Sequence, residues 1–223
     1  MYKSSLHSSI KDWYSLRGDR LEARVENYII DIVRNDLLIE IQTRNFSAIK
    51  GKLRSLISNY SVRLVYPIAE RKWIVRVSRS NGEMVSRRRS PKRGKLTDLF
   101  DELVWIPHLA GEDNFSIEVL MIEEEEIWCA DGKGSWRRRG VSIKDRKLID
   151  VVEKIRFVNR EDFLRFLPKD IDQTFTNKSL AKNLGIPIRQ SRRITYCLRK
   201  MGAIKLVGKN RNVLFFETHT FPE

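Results

Sequence analysis

Two short apolar segments joined by a polar turn constrain the fold of this chain more than any other feature. Residues 28–33 and 37–42 are rich in Ile, Val and Leu, which favour strands. The residues between them, 34–36, are Arg, Asn and Asp, which are typical of hairpin turns. The segment therefore predicts a β-hairpin whose tight turn centres on Arg34 and Asn35.

Each strand of this hairpin carries a carboxylate within its apolar sequence. The predicted turn places Asp31 opposite Leu38, and the two-residue period of a strand puts Glu40 and Gln42 on the same face. Asp31 and Glu40 are then diagonal neighbours, about 7 Å apart. Because a buried carboxylate requires a partner, and divalent cations bind carboxylate oxygens, the pattern predicts a metal site at Asp31 and Glu40.

The segments around the hairpin predict an alternation of helices and strands. In chain order these are a helix over 4–17, a strand over 20–25, the hairpin, a helix over 46–57, and a strand over 61–66 that ends at Pro67. The apolar face of the first helix consists of Leu6, Ile10, Trp13 and Leu16. The second helix forms a crossover of the length that parallel strands require. The predicted order is α-β-β-β-α-β.

This order, with Asp31 on the second strand and Glu40-Ile-Gln42 on the third, resembles the PD-(D/E)XK nuclease superfamily over residues 4–78. The resemblance implies an α/β (α+β) fold with a restriction-endonuclease-like αβββαβ core. It also implies that Asp31 and Glu40 bind Mg²⁺ or Mn²⁺ for the hydrolysis of phosphodiester bonds. Glu22, on the first strand, matches an additional acid that some members carry.

One position departs from the pattern of that superfamily. Gln42 stands where a lysine usually occurs, and its neutral amide offers a dipole instead of a charge. Lys52 or Lys50, on the following helix, could supply the missing charge from a shifted position. His7 and Lys11, one turn apart on the first helix, are further residues that could point into the site, and a solvated helix position is the favoured alternative for His7.

The charge of the chain favours an anionic partner. The net charge is +14, with 43 Lys and Arg against 29 Asp and Glu. Both ends are basic, since residues 1–95 and 173–223 hold the excess of cations, whereas residues 96–172 are acidic. We expect nucleic acid as the partner, because no basic segment is joined to a strongly apolar helical face of the kind that binds membranes.

The sequence predicts a cytoplasmic protein without a membrane partner. No apolar run approaches the length of about 20 residues that a membrane span requires. The N-terminal residues lack the apolar core of a signal peptide. Cys129 and Cys197 are far apart and lack metal-ligand spacing, so neither a zinc site nor a disulfide framework is predicted.

The middle of the chain predicts less regular structure. Residues 79–95 contain five Arg or Lys between Arg87 and Arg93 together with Gly, Ser and Pro, and are expected to be a mobile basic loop, either simply solvated or in contact with phosphates. Residues 115–129 alternate as a strand does, and residues 131–140 predict a turn that carries a basic hairpin. The apolar spacing within 143–157 predicts a helix.

The C-terminal segment resembles a winged helix-turn-helix domain. Residues 176–185 predict a short helix that ends at Gly185, and residues 187–201 predict a second helix after Pro187. Strands over 203–207 and 213–217 enclose a basic turn that forms the wing. Two helices joined by a tight turn are the helix-turn-helix arrangement.

The second of these helices is expected to contact DNA. Its first turns crowd polar residues where base edges and phosphates would be met, namely Arg189, Gln190, Ser191, Arg192, Arg193 and Thr195. Lys209 and Arg211, at the tip of the wing, would contact phosphate or the minor groove. Ile188, Ile194, Leu198 and Cys197 remain for the core. Protein docking is the alternative use of such a domain, and the 10 cations against 2 acids in residues 173–223 favour DNA.

Together these patterns predict three regions and two alternative functions. The regions are a nuclease-like core over 1–95, an acidic middle of mixed strands and helix over 96–160, and a winged helix-turn-helix over 161–223. The first function is a Mg²⁺- or Mn²⁺-dependent DNA endonuclease that acts on double-stranded DNA, with a homodimer as a possible assembly. The alternative is a non-enzymatic DNA-binding regulator that retains a degenerate nuclease fold.

Overall fold

The computed structural model describes residues 5–218 and has a mixed α/β fold. Its N-terminal elements follow the predicted order. They are α1 (Ser5–Tyr14), β1 (Arg20–Val25), β2 (Tyr28–Arg34), β3 (Leu37–Ile41), α2 (Phe46–Ile57) and β4 (Ser61–Val77). The later elements are β5 (Met84–Arg89), α3 (Phe100–Leu103), β6 (Phe115–Ala130), β7 (Val141–Phe157), β8 (Thr174–Thr176), α4 (Asn177–Leu184), α5 (Ile188–Lys200), β9 (Ile204–Asn210) and β10 (Val213–Thr218). The first residue of the helix predicted over 4–17 lies outside the described residues.

Seven strands form one mixed sheet. The strand order is β1-β2-β3-β4-β6-β7, and β5 pairs with the outer part of β4. The pairs β3–β4 and β4–β6 are parallel, because α2 carries the chain from β3 back to the start of β4, and the other pairs are antiparallel. Helix α1 packs on one face against Ile32, Ile39 and Ile41, whereas Leu53 and Leu56 of α2 join the core cluster of the other face.

The apolar face of α1 is narrower than its sequence predicts. Leu6 and Ile10 are fully buried, as expected. Trp13 and Leu16 are exposed, and Tyr14 is buried in their place. The helix ends at Tyr14, so Leu16 lies beyond the last turn that the sheet can cover.

The hairpin forms with a register two residues away from the predicted one. Arg34 pairs with Leu37, so the turn consists of Asn35 and Asp36, and Leu38 lies opposite Val33 instead of Asp31. Asn35 has φ 50°. Asparagine tolerates this left-handed conformation, which tight hairpin turns require at their first position, and this preference selects the observed turn. A shift of two residues keeps every side chain on its predicted face.

Strand β4 does not end at Pro67 but continues to Val77. Val65 directs its carbonyl toward β3, where it accepts a hydrogen bond from the Gln42 N–H. The backbone nitrogen of Pro67 points to the same side, and β3 has already ended there. On that side no strand lies opposite position 67 to accept a hydrogen bond, so the missing N–H of proline leaves no acceptor unpaired. The strand can therefore continue through Pro67.

Two further predictions for the middle of the chain are wrong. Part of the predicted loop over 79–95 is strand β5, which pairs with β4 from Trp73 to Val77. The predicted helix over 143–157 is strand β7, which pairs with β6 along most of its length. The apolar residues of β7 fit the helical period and the strand period alike, and the long exposed edge of β6 decides in favour of the strand. The strand predicted over 115–129 is present as β6.

The C-terminal elements share one apolar core with the large sheet. Ile194, Cys197 and Leu198 of α5 belong to the same buried cluster as Phe100 and Phe157. Thr176 caps α4 by accepting a hydrogen bond from the Ser179 N–H, and Gly185 ends this helix with φ +61°. Ile188, predicted for the core, is 44% exposed.

Strands β8, β10 and β9 form a second, three-stranded antiparallel sheet beside these helices. Val213 pairs with Asn210, so the predicted wing is a two-residue turn instead of a five-residue loop. Among residues 5–218, no helix is long and apolar enough to cross a membrane.

Candidate functional site

Asp31 lies where the strands β2 and β3 stop pairing through their backbones. The last backbone pair is Ile32 with Ile39, and one further step along each strand brings Asp31 beside Glu40. At this point the Asp31 carboxylate accepts a hydrogen bond from the Ile41 N–H at 3.0 Å. The two carboxylates are therefore direct neighbours, closer than the predicted diagonal arrangement.

A third carboxylate lies in the same row of the sheet. The pairs on either side of Glu22 keep one register between β1 and β2, which places Glu22 opposite Asp31. Glu22 has φ 49°, and this left-handed conformation interrupts the backbone pairing. Glu22, Asp31 and Glu40 thus follow one another across three neighbouring strands, each about 4.8 Å apart.

Helix α1 supplies two basic side chains to this row. His7 Nε2 lies 3.2 Å from Asp31 Oδ2. Lys11 Nζ lies 2.5 Å from Glu22 Oε1, and only 8% of Lys11 is exposed. The two residues are one helical turn apart, so the packing of α1 on the sheet brings both to the same edge of the row.

Glu40 is buried and has a lysine as its ionic partner. It is 5% exposed, and Lys52 Nζ from α2 lies 2.5 Å from its Oε1. The same ammonium group donates a hydrogen bond to the Ile29 carbonyl at 2.6 Å. The crossover helix therefore places a cation directly beside the acid of the third strand.

Burial raises the pKa of Glu40 to about 7. Desolvation is the largest cause, because an ionised carboxylate loses its water inside the protein. The charge of Lys52 opposes this effect and lowers the pKa, whereas the negative charge of Asp31 raises it further. Glu40 thus titrates near neutral pH, where a small change in its surroundings shifts its charge.

Gln42 and Lys50 lie apart from these contacts. The Gln42 side chain donates hydrogen bonds to the carbonyls of Arg44 and Asn45 at 2.5 and 3.3 Å, so it holds the loop before α2. Lys50 is two residues from Lys52, and residues at that spacing do not share a helix face. The structure thus distinguishes Lys52 from Lys50, which the sequence alone left open.

The row brings the carboxylates of Asp31 and Glu40 together beside Lys52. Within residues 5–218, no group of three or more His, Cys, Asp or Glu side chains is arranged to hold a metal ion. Asp31 and Glu40 remain as a pair, and Mg²⁺ typically takes one or two carboxylates together with waters and substrate phosphates. Glu40 Oε1 has the Lys52 ammonium group as its ionic partner at 2.5 Å.

The second basic surface lies on α5, and two of its predicted DNA contacts face the protein itself. The Gln190 side chain donates a hydrogen bond to the Thr97 carbonyl at 2.6 Å. Arg193 forms an ion pair with Asp101 of α3. Both partners lie outside α4 and α5, so the sequence of α5 alone could not reveal these contacts.

Two further residues predicted to meet DNA are buried. Ser191 and Thr195 are 0% and 2% exposed. Their hydroxyl groups donate hydrogen bonds to the backbone carbonyl and the side-chain oxygen of Asn177, at 2.8 and 2.7 Å. These residues therefore connect α5 to α4 and are not available to a partner.

The opposite face of α5 remains open and contains residues that the sequence analysis missed. Arg189 and Arg192 are exposed. A cavity of about 230 Å³ lies between α5 and β10, and its lining includes Arg192, Tyr196, Arg199 and Asn212. Positions 192, 196 and 199 share one helix face, so the helical period itself was the signal that could have identified Tyr196 and Arg199. Lys209 and Arg211, beside the turn between β9 and β10, are also exposed.

A model of a protein family described as "Domain of unknown function (DUF8091)" matches residues 4–158. The chain belongs to the DUF8091 family. The DUF8091 segment extends through the end of β7, so it includes the carboxylate row and the whole large sheet, whereas α4 and α5 follow it. An uncharacterized protein of Treponema pallidum (strain Nichols) is 30% identical over 181 residues, which cover 81% of this chain and 72% of that protein. No solved structure matches the chain.

Proposed function

We propose that this protein is a metal-dependent nuclease that hydrolyses phosphodiester bonds of DNA. One observation carries the proposal: Asp31 and Glu40 are neighbours where two strands separate, and Lys52 Nζ lies 2.5 Å from Glu40. Two carboxylates and a lysine are the groups that the PD-(D/E)XK resemblance requires. The lysine comes from α2 instead of from β3.

Each residue of the site has a distinct part in this proposal. Asp31 and Glu40 would hold Mg²⁺ or Mn²⁺, and the bound ion would polarise the scissile phosphate and lower the pKa of the attacking water. The Ile41 N–H fixes the orientation of Asp31. Lys52 presents a positive charge that can stabilise charge developing on the phosphate. The Gln42 side-chain nitrogen holds the adjacent loop, and its amide oxygen would position the attacking water.

The C-terminal elements would deliver the nuclease to DNA as a winged helix-turn-helix does. The open face of α5, with Arg189 and Arg192, and the wing residues Lys209 and Arg211 present cations that can contact phosphates. Tyr196 lies on the same face of α5 as Arg192. This arrangement favours double-stranded DNA, since a helix and a wing fit neighbouring grooves of a duplex.

A second candidate is a DNA-binding regulator without catalytic activity. The observation that favours it is the ion pair between Glu40 and Lys52, which occupies the acid that a metal would need. In that case the pair would be a structural element, and α5 and the wing would carry the function.

Cleavage assays distinguish the two candidates. Purified protein is incubated with supercoiled plasmid and with circular single-stranded DNA, in Mg²⁺, in Mn²⁺ or in EDTA. We expect cleavage with metal and none with EDTA. Asp31→Asn and Glu40→Gln should each abolish cleavage while keeping the far-UV circular dichroism spectrum, because both remove charge and keep side-chain volume.

Asp36→Asn provides the matched control, since it makes the same chemical change at an exposed position of the same hairpin. This variant should cleave at the wild-type rate. Wild-type cleavage by both Asp31→Asn and Glu40→Gln would contradict the proposed site. DNA binding without cleavage under every metal condition would favour the regulator.

A further inference from the structure

The outer half of the large sheet is a four-stranded unit with its own surface. Trp73 of β4 pairs with Arg89 of β5 and with Glu125 of β6, and Glu125 pairs with Lys147 of β7. We call the four stretches 73–77, 84–89, 125–130 and 141–147 the outer sheet. Its two turns, 78–83 and 131–140, lie at the same end, because Val77 and Cys129 are paired there.

Most carboxylates in and beside the outer sheet pair with cations of the protein. Glu125 pairs with Arg87 at 2.7 Å, and Glu124 and Glu126 bind Lys72 and Arg146. Asp131 pairs with Lys144 at 2.5 Å. Asp145 accepts a hydrogen bond from the Ser5 N–H, and Glu83 accepts one from the Asn81 side chain. Unpaired cations therefore still outnumber unpaired acids in this region.

Nine exposed cations of the outer sheet and its two turns form no ion pair within residues 5–218. They are Arg76, Arg79, Arg88, Arg89, Lys133, Arg137, Arg138, Arg139 and Lys147. All but two are arginines, whose planar guanidinium groups bind phosphate oxygens in pairs. Strand β5 is exposed along its whole length, so its arginines are accessible from solvent. Arg88 and Arg89 point to opposite faces of β5, which is an edge strand, so the phosphate-binding chemistry lies along this edge of the sheet.

The turn between β6 and β7 presents an aromatic ring beside these arginines. Trp136 is 84% exposed, and the Arg137 guanidinium lies 5.7 Å from the centre of its ring. The turn is closely built: a Cβ at Gly134 would lie 1.9 Å from the Val141 carbonyl oxygen. Asp131 also accepts a hydrogen bond from the Lys133 N–H at 3.0 Å. The backbone around the ring is therefore fixed before any partner arrives.

We propose that the outer sheet and its 131–140 turn bind a single-stranded segment of nucleic acid, with arginines on the phosphates and Trp136 stacked on a base. An exposed ring next to cations matches single strands, whose bases have accessible faces, better than a duplex, whose bases are already stacked. The fixed turn lowers the entropic cost of binding. The arginines themselves indicate a ligand that carries phosphate. The inference rests on the proposed function only where it takes that ligand to be nucleic acid.

Binding is measured by fluorescence anisotropy with full-length protein and labelled oligonucleotides, as a 30-nucleotide single strand and as a duplex, in EDTA so that no cleavage occurs. The test variants are Arg88→Gln/Arg89→Gln and Arg137→Gln/Arg138→Gln. Each pair should weaken single-strand binding at least about tenfold at 0.1 M salt. The slope of log affinity against log salt should fall by about 1.4, since each lost phosphate contact removes about 0.7.

Trp136 is tested separately from the charges. Trp136→Ala should weaken single-strand binding about tenfold, because stacking on one base contributes about 1–3 kcal/mol. Duplex binding should change little. Trp136→Phe should recover most of the single-strand affinity, since it keeps a flat ring, and a loss equal to that of Trp136→Ala would contradict the stacking contact.

The matched control is Arg17→Gln/Arg20→Gln, which removes two exposed charges near the opposite edge of the sheet. An equal loss of affinity in the control and in both test pairs would overturn the proposal, because only net charge would then matter. Binding to vesicles of phosphatidylcholine and phosphatidylserine through the same arginines, without binding to oligonucleotides, would also overturn it. Failure of cleavage in every metal refutes the nuclease but leaves these measurements in EDTA unaffected.

Discussion

Replacing Glu40 with Gln should change how the stability of the protein depends on pH. The folded protein holds the proton of Glu40 more tightly than the unfolded chain does, because burial raises the pKa from 4.5 to about 7. Between these two values the folded state binds more protons, so the free energy of unfolding falls as the pH rises. Gln cannot ionise, so the free energy of unfolding of the variant lacks this decrease with pH.

The size of the effect follows from the shift in the pKa. A shift of one unit corresponds to about 1.4 kcal/mol, so the shift from 4.5 to about 7 corresponds to about 3 kcal/mol. As the pH rises from 4.5 to 8, the free energy of unfolding of Glu40→Gln should therefore increase relative to that of wild type by up to about this amount. At pH 4.5 both proteins carry a neutral side chain at position 40, and the difference in stability should be small.

Urea unfolding, followed by circular dichroism at pH 4.5, 6, 7 and 8, measures this difference directly. Effects of the other ionisable groups cancel in the comparison of variant with wild type. Glu26→Gln, at an exposed turn, controls for the change in net charge. A stability difference between Glu40→Gln and wild type that stays constant from pH 4.5 to 8 would refute the account of Glu40 as a desolvated carboxylate.

The same titration tests the proposed metal site. At pH 8, Mg²⁺ should stabilise the wild-type protein, because a ligand that binds only the folded state raises the free energy of unfolding. The stabilisation should grow with the concentration of Mg²⁺ and should be absent in Glu40→Gln. Equal stabilisation of both proteins would mean that the ion binds elsewhere.

Three further perturbations have specific outcomes. Lys52→Ala should lower the cleavage rate at least about 100-fold in plasmid assays, whereas Lys50→Ala should leave it near wild type, since only Lys52 reaches Glu40. Arg192→Gln/Arg199→Gln should reduce the salt-dependence slope of duplex binding by about 1.8, as anisotropy at several salt concentrations would measure. Phe100→Ala should cost about 3–5 kcal/mol in urea unfolding, because its buried ring packs edge-on against another phenylalanine.

The order of the N-terminal elements could be predicted because the apolar residues of each element have a clear period. The register of the hairpin could not, since it depends on which residue adopts the left-handed conformation, and Asn35 does so. The sequence predicts a helix in place of β7 because Leu148, Val151 and Val152 fit the helical period. Its pairing partner, β6, lies earlier in the chain and is brought beside it only by the fold.

The candidate site was predictable in its acids but not in its contacts. Asp31 and Glu40 stand out because carboxylates are rare within apolar strands. The choice of Lys52 over Lys50 required the orientation of α2 on the sheet. The ion pair of Arg193 with Asp101 joins residues from separate regions of the chain, and no local pattern announces such a contact.

The parallel pairing of β4 with β6 has a consequence for the synthesis of the protein. One edge of β4 pairs with β6, beginning with Val62 beside Phe115. This pairing cannot begin until the ribosome has translated residues 78–114, which separate the two strands. At about 5–20 residues per second, this edge stays unpaired for several seconds on each nascent chain. Exposed strand edges promote aggregation between chains, and charged side chains along them oppose it. The basic residues Arg63, Arg71 and Lys72 in β4 can therefore protect the emerging chain until its partner strand arrives.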